Sequence, residues 1–162
     1  MNINSVHPEV HQPIQPPKSV WLLVVLQFLL GLSAFLSGGL MIAYPDGSLM
    51  QMPLSMLEYS PFQDFLIPGV ILFISLGVYP LLVAYSLWRH PTWRWAEALN
   101  PTKHMHWAWS ASWAAGVIVL IWITVQVLLL RSIDFLHVLY FVWGCALILI
   151  TITPRVRTYY RR

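Results

Sequence analysis

The sequence predicts an all-α fold: an integral membrane four-helix bundle with a long loop between its first two helices. Charged residues make up 9% of the 162 residues and apolar residues 58%, whereas a soluble domain carries roughly 25% charged residues. Four segments have the length and apolar character of a membrane-spanning helix, which needs about 20 residues. The loop, residues 45–69, is punctuated by Pro, Gly, Ser and acidic residues, and loops longer than about 15 residues are usually functional or disordered.

The predicted spans cover residues 20–44, 65–88, 106–130 and 133–152. Lys18 precedes the first span, as a basic residue does in a secretion signal. The apolar stretch is nevertheless longer than the roughly 7 to 15 residues of a signal, and no A-x-A-like site follows it. We therefore expect a retained helix. The sequence divides into a flexible N-terminal tail (1–17), a transmembrane domain (18–154) and a basic C-terminal tail (155–162).

The distribution of Lys and Arg predicts the orientation of the bundle. The loop 45–69 contains neither, whereas the connection between spans two and three and the C-terminal tail contain Arg89, Arg94, Lys103, Arg155, Arg157, Arg161 and Arg162. Basic residues favour the cytoplasmic side of a membrane. We expect both termini to be cytoplasmic and the loop to lie on the far side of the membrane.

Tryptophans cluster around the cytoplasmic connection. The cluster consists of Trp88, Trp93, Trp95, Trp107 and Trp109. We interpret it as an aromatic belt at the lipid headgroups rather than a stacking surface for nucleic acid or sugar. No nucleic-acid partner is expected, because the basic residues lie at the ends of apolar segments.

The loop contains two helix-start signals. Ser60-Pro61-Phe62-Gln63 has the pattern of a capping box with proline at the first helical position, and Ser55 to Glu58 predicts one short turn. Pro68 follows the Ser60 signal by two turns, so either the helix kinks there or a short interfacial helix stops and span two begins afresh. Pro80, deeper in span two, removes the hydrogen bond to the carbonyl of Leu76.

The loop also carries a family resemblance. Its motifs D-G-S, M-P-L-S-x-L and S-P-F-x-D-F-L-I-P-G resemble those of an uncharacterised family of small bacterial four-span integral membrane proteins. Two further patterns of that family are matched by Trp122, Ile123 and Gln126, and by Phe135, Leu136 and His137. The resemblance implies the four-span plan and a bacterial cytoplasmic (inner) membrane location, and it brings no activity. The likeness to DoxX-like proteins is at fold level only. The family has G-M-P where this chain has Gln51, so a tight glycine turn is not expected there.

Small residues four apart predict closely packed helix faces. Span three has Ala108, Ser112 and Gly116 at this spacing, and span one has Ala34 and Gly38, with Ser33 and Ser37 beside them. The sequence leaves open whether these faces meet another helix of the chain, a second copy in a homodimer or another subunit of a membrane complex.

Polar residues near the outer ends of spans three and four give the candidate site. At 1.5 Å per residue, Gln126 and His137 lie at about the same depth, with Trp122 and Tyr140 one turn deeper on the same faces. We expect a ligand pocket lined by these residues, with Asp46 and Asp64 of the loop above it. The alternative is that Gln126 and His137 only hydrogen-bond each other and clamp two helices.

Three functions remain open from the sequence: binding of a lipid, quinone or other apolar molecule under the loop, a structural or accessory role in a membrane complex, and a small membrane enzyme using His137 and a loop carboxylate. We assign no catalytic residue, cofactor or metal site. The spans lack central charges, which disfavours a pump or channel, and no histidine pair suits haem.

Overall fold

The computed structural model describes residues 15–162, which form helices without β-strands apart from one isolated bridge. The helices are α1 (Lys18–Ala43), α2 (Leu66–Arg89), α3 (Arg94–Leu99), α4 (Trp107–Leu130), α5 (Phe135–Ile152) and α6 (Pro154–Tyr160). Four of these, α1, α2, α4 and α5, are long and apolar enough to cross a membrane. The prediction of an all-α fold with four such helices is confirmed, with boundaries within two residues of those expected. The predicted N-terminal tail lies largely outside the described residues.

The bundle consists of two helix pairs. α1 packs along the length of α2, α4 packs along α5, and the second half of α2 joins the pairs by packing on α4. Leu23, Leu87, Val119 and Leu147 are completely buried where these helices meet. We call the end that carries α3, α6 and the start of α1 the basic end, and the opposite end, which carries the 45–69 loop, the loop end.

Glycines hold α1 and α2 at close range. A Cβ on Gly31 would lie 2.9 Å from the carbonyl oxygen of Gly77, and one on Gly38 would lie 2.8 Å from the backbone nitrogen of Phe73. The α4–α5 pair is similar, because a Cβ on Gly116 would lie 2.9 Å from the carbonyl oxygen of Gly144. The predicted small-residue faces are therefore closely packed, and both meet another helix of the same chain.

A π-helical turn interrupts α2 at Phe73–Val78, and Tyr79 N–H donates to the carbonyl of Ile74, five residues back. The turn ends just before Pro80 and adds about one residue to the helical repeat. Pro68, by contrast, lies in the first turn of α2, where its missing N–H has no intrahelical role. The helix thus starts once, at Leu66, and neither expected alternative at Pro68 applies.

The predicted helix start at Ser60 is wrong. Ser60 Oγ accepts a hydrogen bond from Phe62 N–H, but the chain remains non-helical until Leu66. The reason is that Phe65 N–H donates to the carbonyl of Pro45 at 2.8 Å, which closes the loop. A helix from Ser60 would direct that N–H to a residue four positions earlier. The other expected turn is present as a 3₁₀ turn at Leu54–Leu57.

Gln51 has a φ of 54°, so a left-handed turn is present at this position although the residue is a glutamine. The C-terminal residues also differ from expectation. Residues 154–160, expected mainly as a basic tail, form α6 with Val156 and Tyr160 buried. His106 N–H donates to the Tyr160 carbonyl at 2.9 Å, and Arg162 N–H donates to the His104 carbonyl at 3.0 Å. These bonds pair the end of the chain with the residues that lead into α4.

Candidate functional site

An apolar groove lies at the basic end, between the second half of α2 and the first half of α4. Its volume is about 570 Å³, within the range of roughly 300–1,000 Å³ typical of small-molecule sites. Side chains from α2, α3 and α4 line it, among them Tyr79, Leu82, Trp93, Trp95, Leu99, Trp107, Trp113 and Ala114. We call it the tryptophan groove. Because Tyr79 is ten residues before the end of α2, the groove extends about 15 Å along the bundle.

The roof of the groove is a cluster of three tryptophans on the connection that carries α3. The Trp93 ring lies 5.3 Å from Trp107 and 5.5 Å from Trp95 between centroids, and both pairs are nearly parallel. Trp107 Nε1 donates to the carbonyl of Pro91 at 2.9 Å, which fixes its ring. Trp95 is 60% exposed and Trp113 is 45% exposed, so ring faces remain available at the mouth.

Asn100 fixes the turn that follows α3. Its Nδ2 donates to the carbonyls of Thr102 and Met105, and its Oδ1 accepts from Thr102 N–H and from Ser110 Oγ at 2.7 Å. Asn100 is 3% exposed. A buried side-chain amide with all of these bonds holds the roof at a fixed height above α4.

Two other polar groups of the lining are also used internally. Tyr79 donates from its hydroxyl to the carbonyl of Ala111 at 3.0 Å, and Trp109 Nε1 donates to the carbonyl of Thr151 at 2.8 Å. A ligand in the tryptophan groove therefore meets mainly CH groups and ring faces. This lining suits a hydrocarbon chain, and its donors without a partner among residues 15–162 are the Nε1 groups of Trp93, Trp95 and Trp113.

The sequence alone indicated that the tryptophans around this connection form an interfacial aromatic belt. The repeated W-x-W spacing, at Trp93–Trp95 and Trp107–Trp109, was the available signal, because it places rings on both sides of one short connection. That these sides fold together over a groove depends on the Asn100 turn and is not visible in the composition.

At the loop end, the candidate residues take separate local roles. Asp46 Oδ1 accepts from Ser48 N–H and Oγ, and these bonds lower the pKa of the exposed Asp46 carboxyl. Asp64 Oδ1 accepts from Leu66 N–H at 3.0 Å and so begins α2.

His137 forms a capping box with Asp134, in which its Nδ1 accepts from Asp134 N–H at 3.0 Å. Tyr140 donates from its hydroxyl to Ser33 Oγ at 3.3 Å and links α5 to α1. Trp122 and Gln126 are half-buried, and within residues 15–162 no hydrogen bond joins Gln126 to His137. The structure thus places these residues at the loop end without bringing them together as a polar cluster.

The polar layer that the sequence analysis missed is deeper in the bundle. Gln27 is completely buried and donates from Nε2 to Ser112 Oγ at 3.1 Å, and Ser112 Oγ lies 2.9 Å from Thr151 Oγ1. The chain of bonds joins α1, α4 and α5. Such interhelical bonds contribute about 0.6 kcal/mol each on average, so they orient the helices more than they stabilise them.

Two histidines lie together below α6. The His90 and His106 rings are 5.5 Å apart, and His106 Nδ1 accepts from Ala108 N–H at 3.2 Å to cap α4. Burial lowers the pKa of both, and the Arg162 guanidinium lowers that of His106 further. In the part of the chain that the structure describes, no three His, Cys, Asp or Glu side chains are grouped to hold a metal ion.

Comparison of the chain with models of protein families, with curated proteins and with solved structures gives no match. The geometry of the site is therefore the basis for the functional assignment.

Proposed function

We propose that the protein is a multi-pass membrane protein that binds the hydrocarbon chain of a membrane lipid in the tryptophan groove. The observation that carries the proposal is the mainly apolar lining of the groove, which encloses about 570 Å³ between two span-length helices. Because the chain comes from the hydrocarbon of the bilayer and not from water, close packing against the side chains of the groove favours its binding. The site takes the place of the loop-end pocket that the sequence suggested.

The proposal includes the orientation inferred from the sequence. The basic end carries Arg89, Arg94, Lys103 and the arginines of α6, and the 45–69 loop carries no basic residue. In a bacterial inner membrane this distribution favours a cytoplasmic basic end. The groove then opens toward the inner leaflet, with its tryptophan roof at the headgroup level.

The mainly apolar lining favours a hydrocarbon chain over the polar ring of a quinone. Quinone carbonyls need hydrogen-bond donors, and a buried acceptor without a donor costs about 1–3 kcal/mol. The Tyr79 hydroxyl and Trp107 Nε1 are bonded to backbone carbonyls, so within residues 15–162 a quinone carbonyl in the groove would have to accept from the Nε1 group of Trp93, Trp95 or Trp113. The enzyme hypothesis lacks support as well. Its loop carboxylates, Asp46 and Asp64, accept hydrogen bonds from neighbouring residues in local turns.

The accessory-subunit hypothesis rested on small-residue faces free to meet a partner. Those faces pack within the chain, Gly38 against α2 and Gly116 against α5. No specific observation then favours an accessory role over lipid binding.

Native mass spectrometry of the protein extracted gently with its own lipids tests the proposal. We expect the wild type to retain lipid, and Ala114→Phe to lose it because the new ring fills the groove. Ile121→Phe is the matched control, since Ile121 lies seven residues further along α4 and is 59% exposed. Thermal unfolding of each variant checks that it is folded.

Equal lipid retention by Ala114→Phe and wild type would contradict the proposal, as would a wild type that carries none. His137→Ala and Gln126→Ala test the loop-end alternative. Loss of lipid from these variants, with Ala114→Phe unaffected, would move the ligand back under the loop.

A further inference from the structure

We infer that the lipid bound in the tryptophan groove is an anionic phospholipid, whose phosphate is held at the groove's rim by Arg94 and Lys103. The inference rests on the proposed function, because it assigns the head of the molecule whose chain the groove binds. It follows from the charges around the roof rather than from the lining of the groove.

The two basic residues lie on the connection between α2 and α4, which carries the roof. Arg94 is between Trp93 and Trp95, and Lys103 follows Thr102, all three of which line the groove. Both basic residues are exposed. A lipid with its chain between α2 and α4 therefore has its head beside this segment.

The one acidic residue between Arg94 and Lys103 in the sequence is already paired. Glu97 accepts a charged hydrogen bond from the Arg162 guanidinium of the C-terminal segment. Among residues 15–162, neither Arg94 nor Lys103 has a carboxylate within ion-pair distance. The rim consequently carries two positive charges that no side chain in this part of the protein neutralises.

Lys103 is held in place by the protein. Its Nζ donates to the carbonyl oxygens of Glu97 and Ala98 at 3.1 and 3.0 Å. An ammonium group has three N–H donors, so these bonds leave one for a phosphate oxygen. The guanidinium of Arg94 matches phosphate geometry and can form a bidentate pair.

A zwitterionic head would gain less at this rim, because its own cation repels the two basic residues. Each Lys or Arg near a membrane surface favours an anionic lipid by about fivefold. General attraction to the basic end would, however, involve every basic residue there equally. Specific binding of the phosphate differs from this general attraction, because the preference for an anionic lipid then depends on Arg94 and Lys103 alone.

The experiment measures the lipid retained from mixed membranes. The protein is reconstituted in equal amounts of dioleoyl phosphatidylglycerol and dioleoyl phosphatidylcholine, extracted, and examined by native mass spectrometry. We expect the wild type to retain phosphatidylglycerol at least fivefold over phosphatidylcholine. In the double variant Arg94→Gln and Lys103→Gln, this ratio should approach one while the total retained lipid stays the same.

The double variant Arg155→Gln and Arg157→Gln is the matched control. It removes the same charge from the same end of the bundle, from two exposed residues of α6 that do not line the groove. An equal fall in the ratio for this control would overturn the inference and leave only general electrostatic attraction. A wild type that retains both lipids equally would overturn it too, with chain binding intact. Retention of neither lipid would instead overturn the proposed function.

Discussion

Tyr160 donates a hydrogen bond of 2.6 Å from its hydroxyl to the backbone carbonyl of Leu87. The carbonyl belongs to the last turn of α2, where no intrahelical partner remains for it. Both residues are almost completely buried. The C-terminal helix thus completes the end of a span-length helix 73 residues earlier in the chain.

Replacement of Tyr160 by Phe tests this link. We expect the free energy of unfolding to fall by about 1 kcal/mol, with the Leu87 carbonyl left unpaired and buried. Thermal unfolding in detergent measures the change. Tyr159→Phe, at the neighbouring half-buried tyrosine, should have a smaller effect, and equal effects would show that the hydroxyl of Tyr160 contributes nothing specific.

The glycines between α1 and α2 give a second prediction. Gly38→Ala should destabilise the fold by about 1–3 kcal/mol, as overpacking does, because the new Cβ would lie 2.8 Å from the Phe73 backbone nitrogen. Gly39→Ala is the matched control. There the nearest atom is a Phe73 ring carbon at 3.8 Å, so the better helix propensity of alanine should leave stability equal or higher. Chemical denaturation measures the free energy of unfolding of both variants. A Gly39→Ala variant less stable than Gly38→Ala would contradict the prediction.

Gln51→Gly should stabilise the protein by up to about 1 kcal/mol. A left-handed conformation costs a residue with a Cβ about 1–2 kcal/mol, and the greater freedom of glycine in the unfolded chain offsets part of the gain. Gln63→Gly, at an exposed position of the same loop that does not have a positive φ, should lower stability instead. A fall in melting temperature for Gln51→Gly would contradict this explanation of the turn.

Acid should weaken the basic end through His106. Burial and the neighbouring Arg162 and His90 lower its pKa from the ordinary 6.5, while Glu97 opposes them. A group whose pKa is lower in the folded chain stabilises the fold fully above its ordinary pKa, and this stability is lost as the pH falls toward the folded-state value. Protonation also removes the acceptor for Ala108 N–H.

Melting temperatures between pH 8 and pH 5 measure this effect. His106→Asn keeps a side-chain acceptor at the start of α4 and should flatten the decline below pH 6.5. His104→Asn, at an exposed histidine nearby, should leave the decline unchanged. If the melting temperature of His106→Asn falls with pH as steeply as that of the wild type, the acid sensitivity belongs to another group.

The positions of the helices could be predicted because the signal is local. Each long helix is a continuous apolar segment matched to the thickness of a hydrocarbon layer, and its ends coincide with charges and prolines. The close faces at Gly38 and Gly116 were visible for the same reason. Loop residues such as Ser60 were misjudged because the N–H of Phe65 bonds to Pro45, twenty residues earlier, and no local pattern records that bond.

The register of α2 against α1 could not be predicted from the local sequence pattern. Gly31 and Gly38 are seven residues apart and share a face, whereas Gly69 and Gly77 are eight apart and would differ by about 80° on a regular α-helix. The π turn between them accommodates the one extra residue, so that both glycines meet α1. The spacing became meaningful only once the partner helix was known.

The sequence by itself determined four long apolar helices, their boundaries and the basic and acidic ends, because these depend on composition along one segment at a time. The tertiary structure alone decided where the cavity is. Its walls belong to α2 and α4, which are separate in the chain. Its roof is held by the hydrogen bonds of Asn100 with Met105 and Ser110. A cavity is a gap between elements, and its size depends on how closely they pack rather than on what each one contains.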